Sequence, residues 1–257
     1  MRLGVCCSFG RAETVRRAGF DYVEWNLGAL ADLDEKEFEA CAVSLEASGL
    51  RAEAVNCFFG AGWHLTGPEA DFGRIEEYAR FALGRAAELG TKIAVLGGGG
   101  ARKAPEGYDR YAAGAQFVRV MRILGDAAAE HGITIALEPL NRGETDLVND
   151  LKTGEIFLRA AEHPNVKLLV DFFHLWKVGE DPEDVSRAAP DLVHAHIARP
   201  NADRRVPGEE DVPDMLPWAE QLRRAEYAGR LSLEGAMPDF ERDILAARAA
   251  LRVFQEG

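Results

Sequence analysis

A chain of 257 residues with 47% hydrophobic residues is long enough to bury a substantial core and falls within the size range of one (β/α)8 domain. Its formal net charge of −13 and its sequence pI of about 5.0 argue against a nucleic-acid partner, because an acidic surface repels phosphate backbones. No apolar run approaches the roughly 20 residues of a membrane span, the N-terminal sequence turns polar too early for a signal peptide, and the four cysteines show no CxxC spacing, so we expect a cytoplasmic protein.

Short apolar runs alternate with longer amphipathic stretches along the chain. The predicted strands, in chain order, are Arg2–Phe9, Asp21–Leu27, Arg51–Phe59, Lys92–Gly97, Thr134–Asn141, Val166–Phe173, Leu192–Ala198 and Arg230–Ala236. The predicted helices that follow them are Ala12–Arg17, Glu35–Ser48, Asp71–Leu89, Asp109–Glu130, Thr153–Glu162, Pro182–Ala188, Pro213–Arg224 and Phe240–Phe254. Strict alternation favours a parallel sheet with helices outside. We therefore predict an α/β fold, a (β/α)8 TIM barrel forming a single domain over residues 1–257.

A doubly wound open sheet is the alternative fold. That fold places a glycine-rich GxGxxG turn after an early strand. The first βα turn here is Ser8-Phe9-Gly10-Arg11-Ala12, which lacks the motif. The chain also has no long linker and no internal repeat beyond the βα unit, so the barrel is the better prediction.

The last four predicted strands each carry a metal-competent side chain at the carboxyl end. These side chains are Glu138, Asp171, His196 and Glu234. Because the active site of a TIM barrel lies at the carboxyl ends of its strands, we expect them to converge. Side chains alternate along a strand, so if Glu234 points to the barrel axis, Ser232 does too, while Leu233 faces the helices. If His196 points inward, so does His194.

Two glutamates, one aspartate and one histidine form an oxygen-rich ligand set. Such a set suits Mn²⁺, Mg²⁺ or Co²⁺ better than a structural zinc, which favours thiolates. Burying three carboxylates together without a cation would be costly. The alternative, an ordinary loop carboxylate or core histidine, is the better interpretation of any one of these residues but a poor one for all four. We expect one divalent metal ion, with Mn²⁺ favoured and Mg²⁺, Co²⁺ or Zn²⁺ as alternatives.

Four runs of sequence resemble the xylose isomerase-like TIM barrels. They are Leu137-Glu138-Pro139-Leu140-Asn141, Asp171-Phe172-Phe173-His174, His194-Ala195-His196-Ile197 and Leu233-Glu234-Gly235. The resemblance covers nearly the whole chain and is strongest to the sugar phosphate isomerase/epimerase branch, which includes ketose 3-epimerases, hydroxypyruvate isomerase and inosose-processing enzymes. It implies that the four strand-tip residues bind the metal and that Glu138 and Glu234 also act as catalytic acid/base residues.

The resemblance also implies residues that contact the substrate. They are His174, an arginine in the loop after strand seven, and Glu144, which matches a glutamate that contacts the substrate or the catalytic base. Apart from the resemblance, His64 lies in the loop after strand three, where it could touch the substrate. A solvated loop histidine is an equally good interpretation of His64. The loop after strand seven departs from the acidic-Asn-Arg run frequent in the family, so Arg199, Arg204 and Arg205 all compete for the arginine role. We favour Arg205 because Val-Pro-Gly follows it.

A run of glycines after strand four is a weaker signal. Backbone N–H groups of Gly97–Gly100 could cradle a phosphate, with Arg102 and Lys103 close behind. No Walker-type Lys-Ser/Thr follows the run, so a plain flexible loop is the stronger interpretation.

The expected chemistry is proton transfer next to a metal-bound carbonyl. The cation acidifies the adjacent C–H, and a carboxylate removes the proton to give a metal-bound enediolate. Returning the proton to the neighbouring carbon isomerises the substrate, and returning it to the opposite face epimerises it. The sequence therefore predicts a divalent-metal-dependent isomerase or epimerase of a small sugar, sugar phosphate or related keto-polyol.

Other functions stay open at this point. The same residues fit a metal-dependent dehydratase of an inosose-like substrate, and a sugar-binding barrel without activity would keep the same pocket. An endonuclease IV-like DNA-repair hydrolase is less favoured, because its multi-zinc site needs histidines on strands two to four, where the chain offers Glu24, Asn56 and Gly97. We expect no nucleic-acid or membrane partner, and the exposed helix faces leave a homodimer or homotetramer open.

Overall fold

The computed structural model describes residues 1–255 and shows a closed barrel of eight parallel strands in the order β1 to β8. The strands are β1 Arg2–Cys6, β2 Tyr22–Asn26, β3 Ala54–Asn56, β4 Ile93–Leu96, β5 Thr134–Leu137, β6 Val166–Asp171, β7 Leu192–Ile197 and β8 Arg230–Leu233. The helices are α1 Ala12–Arg17, α2 Leu27–Asp32, α3 Glu35–Ser48, α4 Phe72–Glu88, α5 Gly99–Arg102, α6 Arg110–Ala129, α7 Leu151–Ala161, α8 Phe172–Val178, α9 Glu183–Ala188, α10 Val212–Arg224 and α11 Phe240–Ala250. The predicted TIM barrel is confirmed. None of the helices within residues 1–255 combines the length and apolar character needed to cross a membrane.

Three short helices, α2, α5 and α8, are absent from the sequence prediction. Two of them begin directly at a strand end because the last strand residue caps the helix. Asn26 Oδ1 accepts a hydrogen bond from the Ala29 amide at 2.8 Å, and Asp171 Oδ1 accepts one from the Phe173 amide at 2.8 Å. The predicted strand Val166–Phe173 therefore ends two residues early, and the chain after Asp171 is helical.

Apolar side chains fill two compartments, one on each side of the barrel wall. The larger compartment lies between the strands and the surrounding helices. The smaller one, inside the barrel, consists of Tyr22, Ala54, Ile93, Val95, Ala136 and Leu169. The buried ring of Tyr22 lies directly against Gly4, where an added Cβ would be 2.2 Å from the ring atom Cε2. Position 4 of the neighbouring strand β1 therefore requires a glycine.

Strand register brings the carboxyl ends of the later strands to one level. Asp171 at the end of β6 is the register partner of His196 on β7. Glu138 and Glu234 each lie one residue beyond their strand, yet their amides still donate to a carbonyl of the preceding strand at 3.2 and 3.0 Å. The backbone of the barrel thus fixes the positions of all four predicted metal ligands.

We predict that Gly4→Ala destabilises the barrel. The added methyl group would overlap the buried Tyr22 ring. Either this ring or strand β1 must then move, which lowers the free energy of unfolding by about 1–3 kcal/mol. Gly60→Ala is the matched control, because a Cβ there meets nothing within 4 Å. The midpoint of urea unfolding, followed by circular dichroism, should fall for Gly4→Ala and stay near wild type for Gly60→Ala. Equal midpoints for the two variants would contradict the tight contact.

Candidate metal centre

The four strand-tip side chains predicted to bind a metal converge at the carboxyl end of the barrel. One ligand atom from each of Glu138, Asp171, His196 and Glu234 lies within 4.8 Å of the other three. His196 Nδ1 is 3.6 Å from Glu138 Oε1 and 3.5 Å from Glu234 Oε2. The Glu234 side chain is 20% exposed, whereas that of His196 is fully buried. The cluster is therefore a buried site with its solvent edge at Glu234.

Buried polar atoms in this cluster lack hydrogen-bond partners among the described residues. They are Glu138 Oε1, His174 Nε2 and His196 Nδ1. An unsatisfied buried polar atom costs about 1–3 kcal/mol, so three of them in one place indicate atoms arranged to bind a further group. A divalent cation would bind the lone pairs of Glu138 Oε1 and His196 Nδ1 and offset the repulsion among the carboxylates. The four strand-tip residues fit such an ion.

The environment of the cluster gives the two glutamates different pKa values. Burial raises the pKa of Glu138, and although contact with His196 opposes the rise, the charge of Glu234 adds to it. Burial would also raise the pKa of Glu234, but His196 and Arg204 outweigh that effect and lower it to about 2. Without a bound cation, the two carboxylates therefore differ in proton affinity.

A buried network inside the barrel orients His196. Nε2 of His196 and Nε2 of His194 each lie 2.8 Å from a different oxygen of Glu24. Ser232 Oγ donates to the same carboxylate at 2.6 Å. The inward orientation predicted for His194 and Ser232 is confirmed, since both are completely buried in this network. An ionised carboxylate only accepts hydrogen bonds, so His196 carries a proton on Nε2 and turns Nδ1 towards the cluster.

A second set of potential ligands, Cys6, Glu24 and His196, also brings its atoms close together. The oxygens of Glu24 already accept hydrogen bonds from two histidines and a serine. A metal in this set would have to displace those bonds, whereas the strand-tip set has unpartnered atoms. The strand-tip cluster is therefore the better metal site.

His174 lies beside the cluster because α8 begins directly after Asp171. One helical turn brings His174 Nε2 to 3.4 Å from Asp171 Oδ2 and 4.0 Å from Glu138 Oε1. The backbone amide of Asn141 donates to His174 Nδ1 at 3.3 Å, so the ring proton lies on Nε2, facing the cluster. The side-chain amide of Asn141 also donates to Glu144 Oε1 at 2.8 Å. Asn141, which was not among the predicted site residues, thus joins the two predicted substrate-contact residues His174 and Glu144.

The loop after β7 brings Arg204, rather than the favoured Arg205, to the cluster. Arg204 Nη2 lies 3.0 Å from Asp171 Oδ2 and 2.5 Å from Glu234 Oε2. Arg205 Nη2 instead lies 3.5 Å from Asp243 Oδ2 on α11. Arg205 forms a parallel bridge with the segment after β8, and neighbouring residues in a bridged segment point to opposite sides. The placement therefore favours Arg204 for the substrate role.

Close packing of two loops fixes Arg204. Its backbone has a positive φ of 46°, and its carbonyl accepts a hydrogen bond from the Ala236 amide at 2.8 Å. An added Cβ at Gly235 would lie 2.8 Å from that carbonyl oxygen, so this approach requires glycine. Arg199, the third candidate, forms an ion pair with Asp203 instead.

His64 and Arg102 do not join the cluster. The half-exposed His64 lies with Nε2 3.3 Å from Glu69 Oε2 and lines a cleft between the β3–α4 loop and the glycine run after β4. Arg102 is completely buried and donates to the carbonyls of Leu96 at 3.3 Å and Glu138 at 2.6 Å. The suggestion that Arg102 helps to bind a phosphate is therefore wrong, because its guanidinium holds the ends of β4 and β5.

Asn56, which was not among the predicted site residues, also contacts the cluster. It ends β3, and its Nδ2 donates to Glu234 Oε1 at 3.2 Å. Its position at a strand end is the one signal in the sequence, and the same signal is shared by apolar residues. Asn56 therefore holds Glu234 from the opposite side to Arg204, which contacts the other carboxylate oxygen.

Comparison with known proteins places this geometry in context. The sequence profile of the family described as "Xylose isomerase-like TIM barrel" matches residues 12–256. D-psicose 3-epimerase of Agrobacterium fabrum is 34% identical over 116 residues, which is 43% of this chain and 38% of that protein. L-ribulose 3-epimerase of Methylomonas sp. is 29% identical over 229 residues, which is 85% of this chain and 74% of that protein. The match to the D-psicose 3-epimerase thus spans well under half of that relative's length.

The fold is also found in a solved structure. The crystal structure of a D-psicose 3-epimerase in the presence of D-fructose superposes with a TM-score of 0.82 and 22% sequence identity. The superposition covers 98% of this chain and 97% of that one. The two proteins therefore share the whole barrel.

We predict that the protein binds one equivalent of divalent metal and that His196→Ala removes it. The substitution deletes the buried nitrogen at the centre of the cluster and leaves three carboxylates that repel one another. His64→Ala is the matched control, because His64 lies outside the cluster. Elemental analysis after loading with Mn²⁺ and desalting should give about one equivalent for the wild type and the control. Two or more tightly bound ions that persist in His196→Ala would contradict a single site.

Proposed function

Because the chain belongs to the xylose isomerase-like TIM barrel family, we propose that it is a divalent-metal-dependent epimerase or isomerase of a small sugar or related keto-polyol. The observation that carries this proposal is the convergence of Glu138, Asp171, His196 and Glu234 on one buried point. A ketose is the favoured substrate, because the two relatives described above are named as 3-epimerases of D-psicose and L-ribulose. We favour Mn²⁺ as the ion, since oxygen-rich sets suit it.

Two of the four ligands, Glu138 and Glu234, would also carry out the catalytic proton transfer. When bound, the ion would hold the substrate oxygens and acidify the C–H next to the carbonyl. Glu138 and Glu234 follow β5 and β8, and both reach the Nδ1 edge of His196 from different strands. One carboxylate takes the proton from one face of the carbon, and the other delivers a proton to the opposite face. The delivering carboxylate starts the cycle protonated, so the carbon is inverted while the two glutamates exchange protonation states. A proton then returns between them, directly or through solvent, before the next turnover.

Neighbouring groups position the substrate. His174 directs a protonated Nε2 at the cluster and can donate to a substrate oxygen, while Arg204 offers its guanidinium from the opposite loop. The Arg204 guanidinium also lies 4.8 Å from the centre of the Phe173 ring, which limits its movement. Gly97 leaves room for the Glu138 carboxylate, since an added Cβ would lie 2.2 Å from Glu138 Oε2.

A panel of ketoses and ketose phosphates, incubated with Mn²⁺-loaded protein in D₂O, tests the proposal. The expected result is deuterium incorporation at one carbon, together with formation of the epimer or of the aldose. Exchange without epimer or aldose but with loss of water from the substrate would instead favour the dehydratase alternative. If the protein binds Mn²⁺ but exchanges no proton into any of these sugars, the proposed epimerase or isomerase activity is wrong.

We predict that Glu138→Gln and Glu234→Gln each reduce turnover by roughly 10²- to 10⁴-fold, the usual contribution of a general acid or base. Glutamine keeps the shape and one oxygen ligand but cannot accept the substrate proton, so partial metal binding should survive. Steady-state kinetics and metal analysis of both variants provide the measurement.

Proton exchange in D₂O separates the roles of the two glutamates. A variant that still exchanges the substrate proton without forming product retains the glutamate that starts the reaction. Glu180→Gln, which changes a carboxylate that accepts from the Leu151 amide, is the control and should turn over normally. Near-normal turnover in both Glu138→Gln and Glu234→Gln would rule out the two-carboxylate mechanism.

We predict that Arg204→Ala lowers kcat/KM by roughly 10- to 100-fold, the cost of one hydrogen bond from a charged donor. The loss should appear mainly in KM, with metal content unchanged, because the arginine is not a ligand. Arg205→Ala is the matched control in the same loop, since its partly exposed ion pair with Asp243 contributes little. A larger effect of Arg205→Ala than of Arg204→Ala would contradict the assignment of Arg204 as the arginine that binds the substrate.

A further inference from the structure

We infer that Glu24 is a positioning residue that selects the protonation site of His196 and so prepares His196 Nδ1 to bind the metal. The inference rests on the proposed function, because it concerns the ion that the strand-tip cluster would hold. Glu24 is the third residue of β2 and is completely buried inside the barrel. It lies 172 residues away from His196 in the sequence, yet the two side chains are in direct contact.

The hydrogen bonds around Glu24 run in one direction. Ser232 Oγ donates to Glu24 Oε2 at 2.6 Å, so the hydroxyl of Tyr22, 2.8 Å from Ser232 Oγ, must donate to that serine. His194 and His196 each contact one carboxylate oxygen through Nε2 at 2.8 Å. Because an ionised carboxylate has no proton to give, both imidazoles must donate from Nε2.

The consequence for His196 lies on the other side of its ring. With the Nε2 proton committed to Glu24, the remaining nitrogen, Nδ1, faces Glu138 and Glu234 and has no hydrogen-bond partner among residues 1–255. A lone pair on that nitrogen is what a metal ion needs from a histidine ligand. If the ring carried its single proton on Nδ1 instead, the nitrogen facing the cluster could not bind an ion.

The charge of Glu24, and not only its shape, matters to this arrangement. A buried carboxylate is costly unless hydrogen bonds and positive charge compensate it. No lysine or arginine side chain within residues 1–255 forms an ion pair with Glu24, whose carboxylate is instead compensated by hydrogen bonds from His194, His196 and Ser232. A carboxylate that accepts from the outer nitrogen of a ligating histidine raises the basicity of that ligand. Glu24 therefore acts on the metal through His196 without being a ligand itself.

Glu24→Gln changes the pattern of hydrogen-bond donors and acceptors while keeping the size of the side chain. An amide has one accepting oxygen and one donating nitrogen, so it can accept from one imidazole but must donate to the other. His194 and His196 then compete for the single oxygen, and the negative charge is lost. We expect the affinity for Mn²⁺ to fall by about 10- to 100-fold, the usual effect of losing such an outer partner.

The competition between the two histidines distinguishes a hydrogen-bonding role of Glu24 from a purely space-filling one. In the double variant Glu24→Gln/His194→Leu, the amide oxygen is free to accept from His196 alone. We expect Mn²⁺ to bind roughly 3- to 10-fold more tightly to the double variant than to Glu24→Gln, a non-additive effect typical of residues in one network. If Glu24 only filled space, a second buried substitution would add to the damage and weaken binding further.

The measurement is titration of metal-free protein with Mn²⁺ against a competing chelator, with circular dichroism to confirm that each variant is folded. Glu53→Gln is the matched control, because Glu53 is a poorly exposed carboxylate that binds Arg2 and Arg230 at the opposite end of the barrel. Its Mn²⁺ affinity should equal that of the wild type. Should Glu24→Gln fail to fold, His194→Leu alone leaves Glu24 entirely to His196, and Mn²⁺ affinity should remain near wild type.

Several results would overturn the inference. They are wild-type Mn²⁺ affinity in Glu24→Gln, weaker binding in the double variant than in Glu24→Gln, and a tenfold loss of affinity in His194→Leu. If the wild type binds Mn²⁺ and epimerises a ketose while any of these results is found, only the role of Glu24 is wrong. A wild type that binds no divalent metal would overturn the proposed function and this inference together.

Discussion

Repulsion among three carboxylates gathered around one edge of a buried imidazole is the constraint on which the rest of this structure depends. Glu138, Asp171 and Glu234 each bring an oxygen to within 4.8 Å of His196 and of one another. Carboxylates free to move would separate, so the barrel must fix the point from which each side chain extends. The amides of the two glutamates bond to adjacent strands, and Asp171 Oδ1 caps α8. The barrel supplies rigidity where the charges require it.

The interior of the barrel is divided between two functions. Its apolar part is small and consists of Tyr22 and five other side chains. The rest is a completely buried hydrogen-bonded network formed by Glu24, His194, His196 and Ser232. A buried polar network of this kind specifies one arrangement of its side chains but adds little net stability. Hydrophobic stabilisation therefore comes mainly from the larger layer between strands and helices. The interior positions the histidine, and the outer layer keeps the barrel folded.

The features that could be predicted from the sequence are those that depend on a repeating pattern of residues. Eight alternations of strand and helix predict the barrel, and period-two alternation predicts that Ser232 and His194 point inward, as they do. Single interactions were harder to predict. Helix α8 exists because one aspartate caps it, and a seven-residue helix carries too little periodicity to be recognised. Its presence is what turns His174 towards the cluster.

Long-range pairing and loop geometry were not predictable from the pattern. A lone glutamate in β2 does not indicate which histidine it contacts, because the contact is formed only when the barrel closes. Arg204 and Arg205 are adjacent and chemically identical, so composition and spacing cannot separate them. What separates them is the bridge to the segment after β8, which sends one side chain inward and the other towards α11.

The loop after β7 has two halves with different tolerance to change in length. Its first half is a turn closed by hydrogen bonds from the Arg199 amide to the Arg205 carbonyl at 2.9 Å and from the Arg204 amide to the Asn201 carbonyl at 3.1 Å. Residues inserted at the exposed tip, between Asn201 and Asp203, would enlarge this turn at little entropic cost. The second half lies against Gly235 and has no such freedom. Insertions and deletions can therefore accumulate at the tip over evolution while the inward-facing arginine keeps its register.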